Sequence, residues 1–208
     1  MDISVTYALD WGVGWIAAEP AFMQRACHAL AHGGGVWLID PVDGDGLEDR
    51  IAPLGQVRGV LQLLDRHGRD AAALARRHDV PLLATPFARV AGAPFEPIAV
   101  LRRRRWSETA LWWPERRALV VAEALGTAPY FPAPGARVGV HPALRLTPPR
   151  PLAGFDPERL LVGHGPPLLG GGVAAAVRSA IERSRREIPR WLAGLPRARR
   201  RAVGWPGG

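Results

Sequence analysis

Short apolar segments bounded by glycine, proline and charged residues recur along the chain, a pattern that predicts β-strands. The predicted strands are Ile3–Leu9, Val13–Ala17, Val36–Ile39, Val57–Leu64, Pro81–Thr85, Pro97–Leu101, Thr109–Trp113, Ala118–Ala122 and Leu160–Val162. Segments with helical spacing of apolar residues are fewer, and they are Leu47–Leu54, Ala71–His78 and Gly172–Glu187. Phe22–His32 fits a helix or a strand equally well. Interleaved strands and helices of this kind indicate an α/β protein with mixed sheets.

Composition narrows the class of protein. The 208 residues, 48% of them hydrophobic and 22% charged, fit one globular domain with a substantial core. We expect this domain over residues 1–190 and a basic, flexible tail over residues 191–208. The apolar runs fall well short of the roughly 20 residues of a membrane-spanning helix. With no signal-peptide core and Cys27 as the single cysteine, we expect a cytoplasmic protein without membrane contact.

The net charge of +8 needs a cautious interpretation. All 27 basic residues are arginine, and the chain contains neither lysine nor asparagine, which indicates biased codon usage in a G+C-rich genome. Arg102–Arg105 before Trp106, and Arg197–Arg201 near the end of the chain, match the pairing of basic and aromatic residues found at nucleic-acid interfaces. Because of the composition bias we favour solvent-exposed basic segments instead, and we expect no nucleic-acid partner.

Titratable side chains are concentrated immediately after the strand predicted at Val57–Leu64. Asp65-Arg66-His67-Gly68-Arg69-Asp70 holds two carboxylates, one imidazole and two guanidinium groups, and a predicted helix follows. The carboxyl end of a strand is where α/β proteins commonly place catalytic or binding residues. This loop is therefore the first candidate for a functional site.

The order of features along residues 3–187 resembles the metallo-β-lactamase superfamily of hydrolases. The matching segments are Val36–Pro41 (an early strand ending in aspartate), Val57–Asp70 (the His-x-His-x-Asp-His signature), Arg105–Glu108 (near the third histidine), Val121–Glu123 (the bridging aspartate) and Leu161–Gly165 (a late Gly-His). The resemblance implies an αββα sandwich with mixed sheets. It also implies a one- or two-metal site at the edge between the sheets.

The chain departs from the signature at most of its ligand positions. Aligned on His67, it has Asp65 for the first histidine, Arg69 for the aspartate and Asp70 for the last histidine. The third histidine falls near Arg105 or Trp106, and Glu123 stands for the bridging aspartate. The resemblance thus assigns the site residues Asp65, His67, Arg69, Asp70, Glu123 and His164, of which only His67 and His164 keep the family's residue type.

Two hypotheses follow from these residues. In the first, which we favour from sequence, no metal is bound, because Arg69 pairs with Asp70 and Glu123 and its charge replaces the ion. The protein would then lack the family's dinuclear hydrolase activity.

In the second hypothesis one divalent metal is retained, and the protein hydrolyses a small ester, lactone or phosphoester. Its ligands come from Asp65, His67, Asp70, Glu123 and His164. The candidate ions are zinc, manganese and iron, and ligand sets rich in oxygen shift the preference from zinc toward harder ions such as manganese or magnesium. In both hypotheses a small molecule is the expected partner.

Overall fold

The computed structural model of the protein describes residues 1–18 and 23–203, with side chains up to residue 198. Six strands form the first sheet, in the order in which they occur along the chain. They are β1 (Ile3–Leu9), β2 (Gly12–Ala17), β3 (Ala26–His32), β4 (Gly35–Ile39), β5 (Gln56–Gln62) and β6 (Leu82–Ala84). The first four strands are antiparallel neighbours, whereas β4, β5 and β6 are parallel.

The second half of the chain supplies a second sheet and a short strand pair. Its strands are β7 (Glu96–Arg103), β8 (Trp106–Trp113), β9 (Ala118–Val121), β10 (Leu125–Gly126), β11 (Gly139–Val140), β12 (Arg159–Val162) and β13 (Leu168–Leu169). The sheet order is β13-β12-β9-β8-β7, with β9 and β12 parallel and the other neighbours antiparallel. Strands β10 and β11 form a separate two-stranded sheet.

Helices cover the outer faces of the two sheets. They are α1 (Leu47–Ile51), α2 (Ala71–Arg77), α3 (Val173–Arg183) and α4 (Ile188–Val203), with short 3-10 turns at Ala52–Leu54, Pro114–Arg116, Pro142–Leu144 and Arg150–Gly154. One buried cluster, including Trp37 and Trp113, lies between the sheets. A second packs α1 and α2 on the first sheet, and a third packs α3 on the second sheet. The protein is therefore the expected αββα sandwich.

The predicted strands are confirmed, since each of them overlaps an observed strand. The ambiguous segment is the strand β3, because β2 and β4 pair with it on both sides. Residues 191–203, which belong to the predicted basic tail, are helical and continue α4 to Val203. Near the start of this helix, Trp191 donates from Nε1 to the carbonyl of Tyr130 at 2.8 Å. Residues 204–208 lie outside the described part. No described helix is both long and apolar enough to span a membrane.

The parallel strands bring their carboxyl ends to one edge of the sandwich. Asp40 follows β4, the loop at residues 63–70 follows β5, Glu123 follows β9 and His164 follows β12. At this edge the backbone before β3 meets the backbone after β12. The Ala26 N–H donates to the carbonyl of Gly163 at 2.9 Å, and Arg25 and His164 form an isolated β-bridge. We call these main-chain contacts between the two sheets the seam.

Candidate metal centre

Two buried imidazoles face each other at the edge between the sheets. The Nε2 atoms of His67 and His164 are 3.2 Å apart. The Nδ1–H of His164 donates to the carbonyl oxygen of Met23 at 2.9 Å, and the Nδ1 of His67 lies 2.8 Å from Oδ2 of Asp40. A carbonyl and a carboxylate only accept hydrogen bonds, so both rings carry their proton on Nδ1. Each Nε2 lone pair therefore points toward the other.

Facing lone pairs at 3.2 Å repel each other unless a proton or a cation lies between them. The pKa of His164 is held well below its usual range, chiefly by burial and next by the charge of nearby His67. The arrangement is that of metal-binding histidines, whose second nitrogen donates to a carboxylate or a carbonyl and so fixes the tautomer. Two nitrogens bound to one tetrahedral zinc at 2.0–2.1 Å would be roughly 3.3 Å apart. The imidazole pair therefore fits a metal ion.

Glu123 completes a set of three ligand atoms. One oxygen or nitrogen from each of His67, Glu123 and His164 lies within 4.8 Å of the other two, and all three residues are buried. Oε1 of Glu123 is 3.9 Å from Nε2 of His164. Two imidazole nitrogens and one carboxylate oxygen form a ligand set of catalytic zinc sites, which leave a fourth position open.

Arg66 holds the other oxygen of Glu123. Its Nη2 donates to Oε2 of Glu123 at 2.5 Å, and its Nη1 donates to the carbonyl of Arg105 at 3.2 Å. The guanidinium lies over the ring of Trp106, 4.2 Å from the ring centre. Arg66 binds Glu123 through Oε2, so the other oxygen, Oε1, stays available on the side of His67 and His164. A metal ion and Arg66 can therefore share this carboxylate.

Glu108 fixes the backbone that carries Glu123. This carboxylate is fully buried, and its Oε1 accepts hydrogen bonds from the backbone N–H groups of Glu123 and Ala124 at 2.9 and 2.8 Å. Its Oε2 accepts from Nε1 of Trp106 at 2.9 Å. Burial raises the pKa of Glu108 to about 7, although the three donors act in the opposite direction.

A third histidine, His141, lies beside Glu123. Its Nε2 is 3.8 Å from Oε1 of Glu123, and its backbone N–H donates to the carbonyl of Ala124 at 3.1 Å. The short β10–β11 pair returns the chain to this place 18 residues after Glu123. Burial lowers the pKa of His141 from its ordinary value, which favours the neutral ring, although the nearby Glu123 acts in the opposite direction.

Arg69 does not make the predicted pair with Asp70 and Glu123. Its Nη1 donates to the carbonyls of Ala26 and Asp40 at 2.6 and 2.8 Å, and its Nη2 donates to the carbonyl of Gly163 at 3.0 Å. In this position the backbone of Arg69 is left-handed, with φ of 41°. The guanidinium thus binds main-chain acceptors of both sheets at the seam, and Arg66 is the arginine that pairs with Glu123.

The two aspartates of the loop point to other partners. Oδ2 of Asp65 accepts from the backbone N–H of Ser107, and Oδ2 of Asp70 accepts from the backbone N–H of Asp43, both at 2.9 Å. Among the described residues, the potential ligand group contains neither of them. Of the six residues assigned from sequence, the structure brings His67, Glu123 and His164 together, with Arg69 at the seam beneath them.

The sequence did not single out Asp40, Arg66, Glu108 or His141 as site residues. Asp40 had a signal, because it ends an early strand as the aspartate of the family does. Arg66 adjoins His67, but nothing in the sequence separates it from Arg69. His141 gave no signal, since its approach to Glu123 depends on the pairing of β10 with β11, which no local sequence pattern reveals.

Comparison with solved structures identifies many similar folds. The DIM-1 metallo-β-lactamase matches with a TM-score of 0.61 and 10% identity over 88% of this chain and 98% of that one. A metallo-β-lactamase from Pontibacter korlensis gives 0.60 and 10%, covering 87% and 99%. One from Erythrobacter litoralis gives 0.59 and 14%, covering 88% and 91%. No protein-family model and no curated protein sequence matches the chain.

Proposed function

We propose, from the metallo-β-lactamase fold of this chain, that it is a hydrolase with a single divalent ion held by His67, Glu123 and His164. The observation that carries the proposal is the pair of Nε2 atoms 3.2 Å apart, each on a ring whose Nδ1 proton is engaged. A cation between these lone pairs turns a repulsive contact into an attractive one.

The donor set indicates which ion. The sequence had favoured manganese or magnesium because most candidate ligands were oxygens. With two nitrogens and one oxygen, the set instead suits zinc, and iron is the next choice. Such an ion supplies Lewis acidity and lowers the pKa of bound water to about 7. Asp40 and the carbonyl of Met23 orient the two imidazoles, and Arg66 orients Glu123.

The substrate we propose is a small ester, lactone or phosphoester. The similar solved structures are metallo-β-lactamases, so a β-lactam belongs in the same test panel.

The location that we propose is the cytoplasm, because a single buried cysteine, Cys27, suits a reducing compartment.

Metal binding is the first test. Protein stripped with a chelator is titrated calorimetrically with zinc, manganese and iron(II), and the stoichiometry is checked by elemental analysis. We expect one zinc per chain, and a loss of affinity of at least 100-fold in H67A and H164A. The matched control is H32A, because His32 is exposed and pairs with Glu115 away from the site. Equal zinc affinity in H67A and H32A would refute the ligand set.

Hydrolysis is the second test. The panel of esters, lactones, phosphoesters and one β-lactam is assayed with the loaded wild-type protein and with H67A. Turnover that disappears in H67A supports a hydrolase, whereas no turnover by a fully loaded protein contradicts it.

The second candidate function is a metal-free member of this fold that does not hydrolyse substrates. The observation that favours it is the 2.5 Å contact between Arg66 and Glu123, which already neutralises the carboxylate. A shared proton between His67 and His164 would then replace the ion. In this case zinc would leave the melting temperature unchanged, whereas a bound ion raises it in proportion to the logarithm of its concentration.

A further inference from the structure

The ring of His141 is fixed in orientation and in tautomer. Its Nδ1 accepts a hydrogen bond from the backbone N–H of Ala143 at 3.2 Å, at the start of the 3-10 turn Pro142–Leu144. The rings of Trp106 and Phe131 lie against it, with centres 4.9 and 5.7 Å away. An Nδ1 that accepts a hydrogen bond carries no proton, so the neutral ring has its proton on Nε2.

This tautomer distinguishes His141 from the two ligand histidines. His67 and His164 present Nε2 lone pairs, whereas His141 presents an Nε2–H, 3.8 Å from Oε1 of Glu123. A protonated nitrogen cannot bind a cation. His141 therefore offers the centre a hydrogen-bond donor, and its side chain is 14% exposed at the border of the site.

Trp106 places a second donor beside His141. The guanidinium of Arg66 lies over the Trp106 ring, and the imidazole of His141 meets the same ring nearly at a right angle, 85°. The ring itself is anchored through its Nε1 to the buried carboxylate of Glu108. One cationic and one neutral donor thus flank Glu123, and the Arg66 side chain is 43% exposed.

We propose that His141 and Arg66 form an oxyanion-binding site over the metal centre, with His141 donating its Nε2–H to an anionic oxygen of the substrate. This inference rests on the proposed function, because an ion bound to Oε1 of Glu123 leaves the Nε2–H of His141 available for the substrate, while Arg66 keeps Oε2 and offers its remaining N–H groups. The ligand class is a substrate with a phosphoryl or carboxyl oxygen, or an ester whose carbonyl oxygen becomes negative during hydrolysis. His141 donates a hydrogen bond and transfers no proton. Preorganised donors aimed at such an oxygen stabilise the charge that develops there.

Two substitutions separate this role from a structural one. In H141N, the amide oxygen can still accept from the Ala143 N–H, but no donor reaches the site. In H141Q, the longer side chain can place an amide N–H where the imidazole Nε2–H was. Inorganic phosphate serves as the probe, titrated calorimetrically into zinc-loaded wild-type protein, H141N and H141Q. The ring tautomer of His141 is measured independently by ¹⁵N NMR on ion-free wild-type protein.

We expect phosphate affinity to fall about tenfold or more in H141N, the effect of losing one hydrogen bond to a charged group. In H141Q we expect it to stay within about threefold of the wild type, and zinc affinity should change by less than about threefold in both variants. Equal phosphate affinity in H141N and wild type, or a proton on Nδ1, overturns the role of His141. A large loss of zinc affinity in H141Q overturns it too, because His141 would then be a ligand. Failure of the wild type to bind zinc overturns the proposed function, and the oxyanion site with it.

Discussion

Replacing Arg69 with methionine tests the position found for this guanidinium. The substitution keeps the apolar part of the side chain as far as the position of Nε and introduces no β-branch at the left-handed backbone with φ of 41°, so the main change is the loss of the guanidinium with its charge and its donors. The carbonyls of Ala26 and Asp40 lose hydrogen bonds of 2.6 and 2.8 Å. The carbonyl of Gly163 retains the donor of the Ala26 N–H.

The magnitude follows from the two carbonyls that lose Arg69. A hydrogen bond to a charged group contributes about 1.5–3 kcal/mol. Arg69 is partly buried, and water can reach part of the vacated space. We therefore take the lower value for each bond and expect a loss of about 3 kcal/mol of unfolding free energy. For a protein of this length, that corresponds to a fall in melting temperature of about 6–12 °C.

The assay is urea unfolding of ion-free R69M, with R76M as the matched control because Arg76 is exposed on α2. We expect the R76M value to lie within about 0.5 kcal/mol of the wild type. A double-mutant cycle with D70N adds a second criterion, since a direct ion pair between Arg69 and Asp70 would give a coupling energy of about 1 kcal/mol or more, and we expect a smaller value. An R69M protein as stable as R76M, or a coupling above about 1 kcal/mol between Arg69 and Asp70, would show that the assigned contacts are wrong.

Three further predictions concern other buried groups. Burial lowers the pKa of His28 from its ordinary 6.5 to about 4, so the stability that the neutral ring contributes is present above pH 6.5 and is lost as the pH falls through 4. Relative to the non-titrating variant H28Q, urea unfolding of the wild type should show a loss of about 3 kcal/mol across this pH range. Parallel pH curves for the two proteins would contradict the prediction. In D40N the side-chain amide should donate to Nδ1 of His67 and move the ring proton to Nε2. We therefore expect zinc affinity, measured by calorimetry, to fall about 10- to 100-fold. Unchanged zinc affinity would refute the orienting role of Asp40. Burial raises the pKa of the Cys27 thiol and shields it from solvent. We therefore expect Cys27 to react with a thiol reagent only as fast as the protein unfolds. Rapid labelling of the folded protein would contradict the burial of this side chain.

The sheets and helices follow from local patterns, and the sequence was sufficient to predict most of them. Alternating apolar residues and turn residues act over a few positions, so strands such as β8 and β9 could be located without knowing their partners. The segment that became β3 was ambiguous because its identity depends on pairing with β2 and β4, which no local pattern reveals. The helical course of residues 191–203 was not predicted from the sequence; Pro189 is the second residue of α4, and the first turn is where a helix tolerates proline.

Part of the site could also be predicted, because three of its residues follow strands that local patterns locate. His67, Glu123 and His164 follow strands whose order matched a known arrangement, and they converge at the edge where those strands end. Which arginine faces Glu123 depends instead on how the loop turns, and the left-handed backbone at Arg69 directs its side chain to the seam. A single sequence gives no signal for that choice.

The seam also has a kinetic consequence for folding. It joins Ala26 to Gly163 and the Arg69 guanidinium to the same carbonyl, so its partners are separated by 137 and 94 residues along the chain. Contacts of such long separation close large loops and form late, after each sheet has organised its own neighbouring strands. His164 directly follows Gly163, so the imidazole pair is assembled in the same late step. Destabilising changes at the seam should therefore accelerate unfolding and leave the folding rate nearly unchanged.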